Sequence, residues 1–352
     1  MIKEVSIVIH PEKEKDEKFI QKEICLALKK QGISFEEKDI STVFVKKSID
    51  ARHKNIKLFL RYKVYIGEKP ADENSLPEWK TTTGKKTVAI IGSGPAGLFG
   101  ALKLLEHGIK PVVIERGSET SKRKRDIAMI STTGIVDENS NYCFGEGGAG
   151  TFSDGKLYTR SNKRGNINGI LKIFTHFGAD KKILTDSHPH IGTDKLPAIV
   201  NNIRNFILQQ GGEFLFDTEC VDFILEKSED KKIVKGVVVK SHGEIKNIFA
   251  DAVLLATGHS ADSIYTLLAK LSPESLEAKT FAMGVRVEHP RNLIDSIQFH
   301  GQKNHELGAA EYRLTSQIDG RGVYSFCMCP GGFVVPSSTG PKEIVVNGMS
   351  AA

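Results

Sequence analysis

The stretch Thr87-Val-Ala-Ile-Ile91-Gly92-Ser93-Gly94-Pro95-Ala96-Gly97-Leu98 decides the fold. Residues 87–91 are almost uniformly apolar, as in a parallel strand buried on both faces. Gly92 then permits a tight turn, Gly94 lacks the Cβ that would hold a pyrophosphate off the backbone, and Gly97 lets the next helix pack closely on the sheet. Ser93, Pro95 and Ala96 complete that turn, and the helix start presents free N–H groups to phosphates. Leu98, Ala101, Leu102 and Leu105 form one apolar stripe, and Gly108 stops the helix. The next strand ends at Glu115, eighteen residues after Gly97, where a carboxylate can accept both hydroxyls of an adenosine ribose. The expected class is α/β: a doubly wound, Rossmann-type dinucleotide-binding domain.

A second glycine run, Gly145-Glu-Gly147-Gly148-Ala-Gly150, fits the same spacing without the same context. Asn139–Phe144 before it is no buried strand and Thr151–Gly155 after it is no helix. It is not a second dinucleotide fold. Its successive backbone N–H groups can still line a phosphate or a flat ring, which makes Gly147, Gly148 and Thr151 candidate contacts, with Asp154 and Lys156 as candidate cofactor-side groups.

Outward from these runs, residues 1–67 read as a small α+β unit. Val5, Ile7 and Ile9 alternate as a strand, Ile20, Ile24, Ala27 and Leu28 recur at helical spacing, and Ile56–Ile66 alternate with Lys57, Arg61 and Lys63 facing out. Residues 68–84 collect Pro, Gly and polar residues without periodicity and read as a linker. The nucleotide-binding domain is placed at 85–280, with an insertion at 118–190. Leu196–Gln210 carries a helical stripe with Thr193 or Asp194 as its cap, and strands are expected at Phe214–Phe216, Val221–Leu225, Ile233–Val239 and Ala252–Ala256. Residues 281–352 read as a β-rich substrate domain, with strands at Met283–Val287, Val323–Met328 and Phe333–Val335. The chain stops soon after a strand, so this last domain is expected to be incomplete.

The chain has 352 residues, room for about two domains. The 49 Lys+Arg against 43 Asp+Glu give a net charge of +6, too small and too dispersed to mark a nucleic-acid binder. The densest basic run, Lys122–Arg125, has no interleaved aromatic residue and reads as a solvated or phosphate-facing turn. No apolar run approaches the ~20 residues of a membrane span, and Met1–Glu4 leads directly into a strand pattern rather than a secretory signal. A soluble, cytoplasmic protein without nucleic-acid or membrane partners is expected. Five scattered cysteines offer no disulfide framework and no paired Cys-x-x-Cys knuckle, so no metal site is expected.

Gly92-Ser-Gly-Pro-Ala-Gly97 with Glu115-Arg116-Gly117, followed by Val253-Leu-Leu-Ala-Thr257-Gly258, resembles the FAD domain of glutathione-reductase-type flavoproteins. More narrowly, Lys47–Arg52, Phe144–Lys156, His190–Asp194, Met283–Pro290 and Cys327–Gly332 look like segments of a family of FAD-dependent dehydrogenases with a small N-terminal domain. The resemblance implies FAD as cofactor, Arg116, Thr257 and Gly258 beside it, and the Val221 backbone near the adenine. It implies oxidoreduction of a small-molecule substrate, with an unnamed electron donor or acceptor. The family pattern closes the flavin end with a late Gly-Asp, a dipeptide this sequence lacks, so the chain is expected to continue beyond Ala352.

In a flavoenzyme the cofactor carries the electron chemistry, so no catalytic triad is needed. His259, directly after Ala-Thr-Gly, is the first candidate proton donor, and Cys329 the candidate thiol. Disulfide closure of Cys327 with Cys329 across one residue is strained, so both also read as ordinary strand-end cysteines. His188 and His190 with Asp194 lack a further ligand cluster. Two other readings stay open: a non-catalytic nucleotide-binding remnant and an NAD-linked dehydrogenase.

Overall fold

The uniform apolarity of residues 87–91 places them at the centre of a parallel sheet, and the elements around them follow the expected strand, turn, helix, strand order. The computed structural model describes residues 1–70, 76–153, 155–158, 165–228, 231–302, 307–325 and 328–351. In chain order the principal elements are β1 (Ile2–Ile9), α1 (Glu17–Lys30), β2 (Ile40–Asp50), β3 (Lys57–Ile66), β4 (Thr87–Ile91), α2 (Pro95–Glu106), β5 (Lys110–Ile114), α3 (Thr120–Thr133) and α4 (Ile167–His176). They continue as α5 (Leu196–Gln209), β6 (Glu213–Leu215), β7 (Thr218–Ser228), β8 (Lys231–Ser241), β9 (Glu244–Phe249), β10 (Ala252–Leu255), α6 (Asp262–Leu271) and α7 (Arg291–Gln298). The last four are β11 (Thr315–Ile318), β12 (Arg321–Tyr324), β13 (Phe333–Pro336) and β14 (Val346–Met349).

Two compact units interleave along the sequence. The first gathers Met1–Leu76, Lys156–Ile191 and Val287–Phe333, and the second Pro77–Gly155, Gly192–Arg286 and Val334–Ala352. Part of the expected insertion at 118–190 and much of the stretch after 281 thus join the N-terminal segment, because a unit is defined by shared packing rather than by contiguity.

In the first unit, β1, β3 and β2 form an antiparallel sheet in that order. Val5, Ile7, Leu58 and Leu60 share its buried side with Ile24 and Leu28 of α1 and with Ile294 and Phe299, while Lys57, Phe59 and Arg61 alternate outward. Strand β2 escaped the sequence reading because its register shifts between Phe44 and Lys46, and one extra residue moves every later side chain to the other face.

In the second unit, the parallel sheet runs β10-β4-β5-β6, with Val88 opposite both Ala252 and Pro111. The order reverses between β4 and β10, which opens a crevice at the carboxyl ends of the strands. A separate antiparallel sheet, β7-β8-β9, packs Val237 and Val239 against Ala89, Val112 and Ile264.

Three local expectations change. The basic run at 122–125 belongs to helix α3, which Gly134 ends in a left-handed conformation (φ 72°). Neither Thr193 nor Asp194 caps α5: Lys195 holds the cap position without a side-chain bond, and a proline in the first turn sets φ and leaves one N–H fewer to satisfy. Met283–Val287 forms no strand, and Met283 and Val285 are nearly fully exposed. No described strand pairs with this segment, and alternation without a ladder does not make a strand.

Candidate functional site

A cavity of about 560 Å³ opens at the crevice where the sheet order reverses, within the range of about 300–1,000 Å³ typical of small-molecule sites. Its floor is the turn after β4. Gly92 sits at φ 106°, and a Cβ there would lie 2.4 Å from the Ala256 carbonyl oxygen. A Cβ on Gly97 would lie 1.9 Å from the Gly92 carbonyl oxygen. Both positions therefore exclude a side chain.

Gly94 caps α2 without a side-chain hydrogen bond. Its N–H and that of Ala96 have no acceptor among the described residues, and both residues, with Pro95, line the cavity. The positive end of the helix and these open donors suit an anion.

Glu115 ends β5 and is buried. Its Oε2 accepts from Ser93 N–H and Ser93 Oγ, each at 2.8 Å, and its Oε1 from Gly117 N–H at 3.0 Å and Gly145 N–H at 3.1 Å. A carboxylate offers about four lone-pair positions, and all four are engaged. Glu115 borders the cavity, yet its first task is to tie three loops together; ribose hydroxyls would have to share it. Arg116 lines the cavity too, its guanidinium donating to Asn139 Oδ1 at 2.9 Å and lying 4.3 Å over the Phe144 ring.

The second glycine run forms the facing wall. Gly145, Gly148, Ala149 and Gly150 line the cavity, and Gly148 abuts the first run so closely that a Cβ on it would lie 3.0 Å from the Gly94 Cα. Gly147 donates to the Ser93 carbonyl at 3.0 Å. Gly147 and buried Thr151 are not among the lining residues: the Gly147 Cβ position falls 2.0 Å from Thr151 Oγ1, a buried oxygen without a hydrogen-bond partner among the described residues. They support the wall from behind.

From the other side of the crevice come Thr257, Gly258 and His259, just past β10, with Tyr265 Oη donating to the Gly258 carbonyl at 3.4 Å. On β7 the lining residues are Thr218, Glu219 and Cys220. Val221 is not one of them: the β7–β8 register shifts between Cys220 and Asp222, so Val221 sits at a bulge. Burial pushes the Cys220 thiol up to about 12, which leaves it protonated and unreactive.

Lys156 and Cys329 belong to the first unit, where the Lys156 ammonium donates to the Cys329 sulfur at 3.8 Å. Neither lines this cavity. Asp154 and Cys327 lie outside the described residues. His188, in the first unit, stands 3.5 Å from Glu311 and 3.2 Å from Arg313, and Asp194 belongs to the second unit. Among the described residues no group of three or more His, Cys, Asp or Glu side chains could hold a metal ion, and no helix is long and apolar enough to cross a membrane.

Sequence reasoning missed Arg123, read as part of a solvated or phosphate-facing turn. It is wholly buried, one of the largest side chains in the protein to be so. Burial pushes its guanidinium down to about 10, so it stays charged at neutral pH. A signal was there: Arg123 shares a helical stripe with Ile127 and Ile130, both buried.

Three segments of the chain match family models. Residues 85–134 match a family model described as an FAD binding domain, residues 280–352 one described as FAD-dependent protein, C-terminal domain-like, and residues 1–65 a domain of unknown function. The chain is 40% identical over 353 residues to a protein of Clostridium beijerinckii described as uncharacterized, covering 94% of this chain and 63% of that relative. Similar solved structures include THI4 of Thermovibrio ammonificans (TM-score 0.37, 19% identity, 53% of this chain and 62% of that one). Another is 3-ketosteroid-Δ4-(5α)-dehydrogenase from Rhodococcus jostii RHA1 (TM-score 0.32, 14% identity, 54% and 49%).

The fold is a doubly wound, dinucleotide-binding one, and FAD is the cofactor that the matches over residues 85–134 and 280–352 indicate. The residues present fit that group. The glycines leave backbone where a Cβ would intrude, and two loops carrying N–H groups without an acceptor among the described residues line one cavity.

Proposed function

We propose that this protein is an FAD-dependent oxidoreductase acting on a small-molecule substrate, with a diffusible electron donor or acceptor. The observation that carries the reading is the cavity at the switch point of the sheet, walled by two glycine runs in which the N–H groups of Gly94, Ala96, Ala149 and Gly150 have no acceptor among the described residues. FAD supplies hydride or electron transfer when bound. The chain's own residues bind and orient it: Gly94 and Ala96 offer donors to the diphosphate, Arg116 adds a cation at the rim, and Thr257 and Gly258 shape the opposite side. His259 lines the same cavity, where its imidazole can hold or pass a proton at Nε2 or Nδ1.

Neither nucleic acid nor membrane belongs among the partners in this reading. The densest basic run loses Arg123 to the interior, which breaks up the patch that run would have offered a polyanion. The cytoplasm is the proposed compartment, supported by four free cysteines among the described residues.

The test is to purify the chain, record its visible spectrum and identify any released cofactor. A yellow protein releasing FAD, or a colourless one that takes FAD up stoichiometrically, supports the proposal. A folded protein that neither holds nor takes up FAD overturns it, and tight NADH binding without flavin points to an NAD-linked dehydrogenase instead. With flavin bound, the pH profile of its reduction by candidate donors, compared between wild type and His259→Gln, tests the histidine.

A further inference from the structure

Arg123 lies on α3, outside the set of residues lining the cavity, and its surroundings are unusual for a buried cation. Carboxylates stand near enough to favour its charge, yet every hydrogen bond it donates goes to a backbone carbonyl. Nε donates to Asn141 O at 2.9 Å and Nη2 to Tyr142 O at 3.1 Å. Nη1 is shared among Gly145 O at 3.2 Å, Glu146 O at 2.6 Å and Gly148 O at 2.9 Å. Five carbonyls from the stretch 141–148 converge on one guanidinium.

The direction of the next N–H groups follows. In a trans peptide the C=O and N–H point in opposite directions, and the chain has no cis peptide among the described residues. The Gly148 carbonyl accepts from Arg123 at 2.9 Å and from the Thr151 N–H at 3.3 Å, so the Ala149 N–H points away from Arg123. Gly148, Ala149 and Gly150 all line the cavity, and the N–H groups of Ala149 and Gly150 have no acceptor among the described residues. The adjacent Gly148 Cα lies against Gly94, at the start of α2, where the phosphates of a dinucleotide belong.

Resting on the FAD reading of the cavity, we propose that Arg123 is a positioning residue. It gathers the carbonyl side of the second glycine run, so that the run's N–H groups, Ala149 foremost, face the diphosphate of FAD. Lysine cannot replace it: an ammonium has three donors on a flexible stem, whereas the planar fork serves several acceptors at fixed angles.

The test compares full-length wild type with Arg123→Lys, Arg123→Met and, as a control, Lys124→Ala, an exposed neighbour on the same helix. FAD affinity is read from flavin fluorescence, the unliganded melting temperature is recorded beside it, and amide exchange is followed in wild type with FAD and with ADP. Both Arg123 variants should bind FAD on the order of 10- to 100-fold more weakly, the loss typical when a group supporting a direct ligand is removed; Lys124→Ala should match wild type. FAD and ADP alike should slow exchange at Ala149 and Gly150.

A folded Arg123→Met protein with wild-type FAD affinity overturns the proposal. So does wild-type protein that binds FAD without slowed exchange at Ala149, or in which FAD slows it and bound ADP does not. If the variants fail to fold, the exchange measurement on wild type decides. Failure of wild type to bind FAD at all would instead refute the functional reading.

Discussion

The two glycine runs share a spacing and almost nothing else. Gly92–Gly97 is held by its own neighbours in the chain: a buried strand delivers it, a helix receives it, and Gly92 and Gly97 are required by backbone atoms 1.9 to 2.4 Å from where a Cβ would stand. Gly145–Gly150 has no flanking strand or helix. Beyond its own turn bonds, Gly148 N–H to the Gly145 carbonyl and Thr151 N–H to the Gly148 carbonyl, it is held from outside, by the Glu115 carboxylate on its Gly145 N–H, the Arg123 guanidinium on its carbonyls, and the Asn141 side chain accepting from Cys143 and Phe144 just before it. A motif that builds its own geometry can be read from a window of residues. One that borrows its geometry cannot, even when its composition signals a ligand.

The sharpest break in this comparison comes from adding one methyl group to each run. Gly97→Ala drives a Cβ into the Gly92 carbonyl and should destabilise the protein by about 3 kcal/mol, a drop of roughly 10 °C in melting temperature. Gly150→Ala meets nothing within 4 Å and should change unliganded stability by less than about 0.5 kcal/mol. Thermal melts of the two proteins without flavin check the contrast; equal losses would contradict it.

Glu115→Gln affects both runs at once, because one carboxylate serves Ser93 in the first and Gly145 in the second. An amide keeps one acceptor oxygen and turns an NH₂ toward the other pair of donors, so one run loses its anchor. The expected loss is about 2 to 4 kcal/mol, measured by denaturant unfolding, with weaker FAD uptake alongside. A variant as stable as wild type would show that the four bonds to Glu115 are not what joins the loops.

The smallest effect is a pH dependence confined to the second run. Glu146 is fully buried, with Oε2 accepting from Thr120 N–H at 2.8 Å and Arg204 at 3.0 Å and Oε1 without a partner among the described residues. Burial pushes its carboxyl above the ordinary range, outweighing the Thr120 and Arg204 contacts that pull it down. A folded value above the unfolded one means the native chain holds this proton more tightly. Its contribution is fully present below the unfolded value and is lost as pH rises through the folded one. Stability should therefore fall with rising pH across the weakly acidic range, by at most about 1.4 kcal/mol per pH unit. Glu146→Gln should flatten that slope in unfolding curves taken at several pH values; an unchanged slope would assign it elsewhere.

Much of the fold was legible because its signals are local. Strand β4 was read to the residue, and helix α2, strand β5 and strand β10 nearly so, since apolar runs, glycine stops and helical stripes report on neighbours in sequence. Strand β2 was missed because a bulge breaks its alternation. Met283–Val287 was overread because alternation says that a segment could join a sheet, not that a partner strand is at hand. In the site, Gly92, Gly94, Pro95, Ala96, Glu115, Arg116, Gly148, Thr257, Gly258 and His259 do line one cavity. Val221 missed it by one residue for the same reason that β2 was missed, a bulge that no pattern of side chains announces.

The sequence by itself determined the parallel strand, the tight turn and the helix that present a dinucleotide site, because each depends on steric limits within a few bonds. Tertiary structure alone decided that Glu115 is spent on joining loops, that one cation of a run of four is buried, and that five carbonyls turn toward it so that N–H groups face the cavity. Those outcomes depend on hydrogen bonds between groups far apart in the chain, whose direction is set only once the sheet and α3 have brought them together.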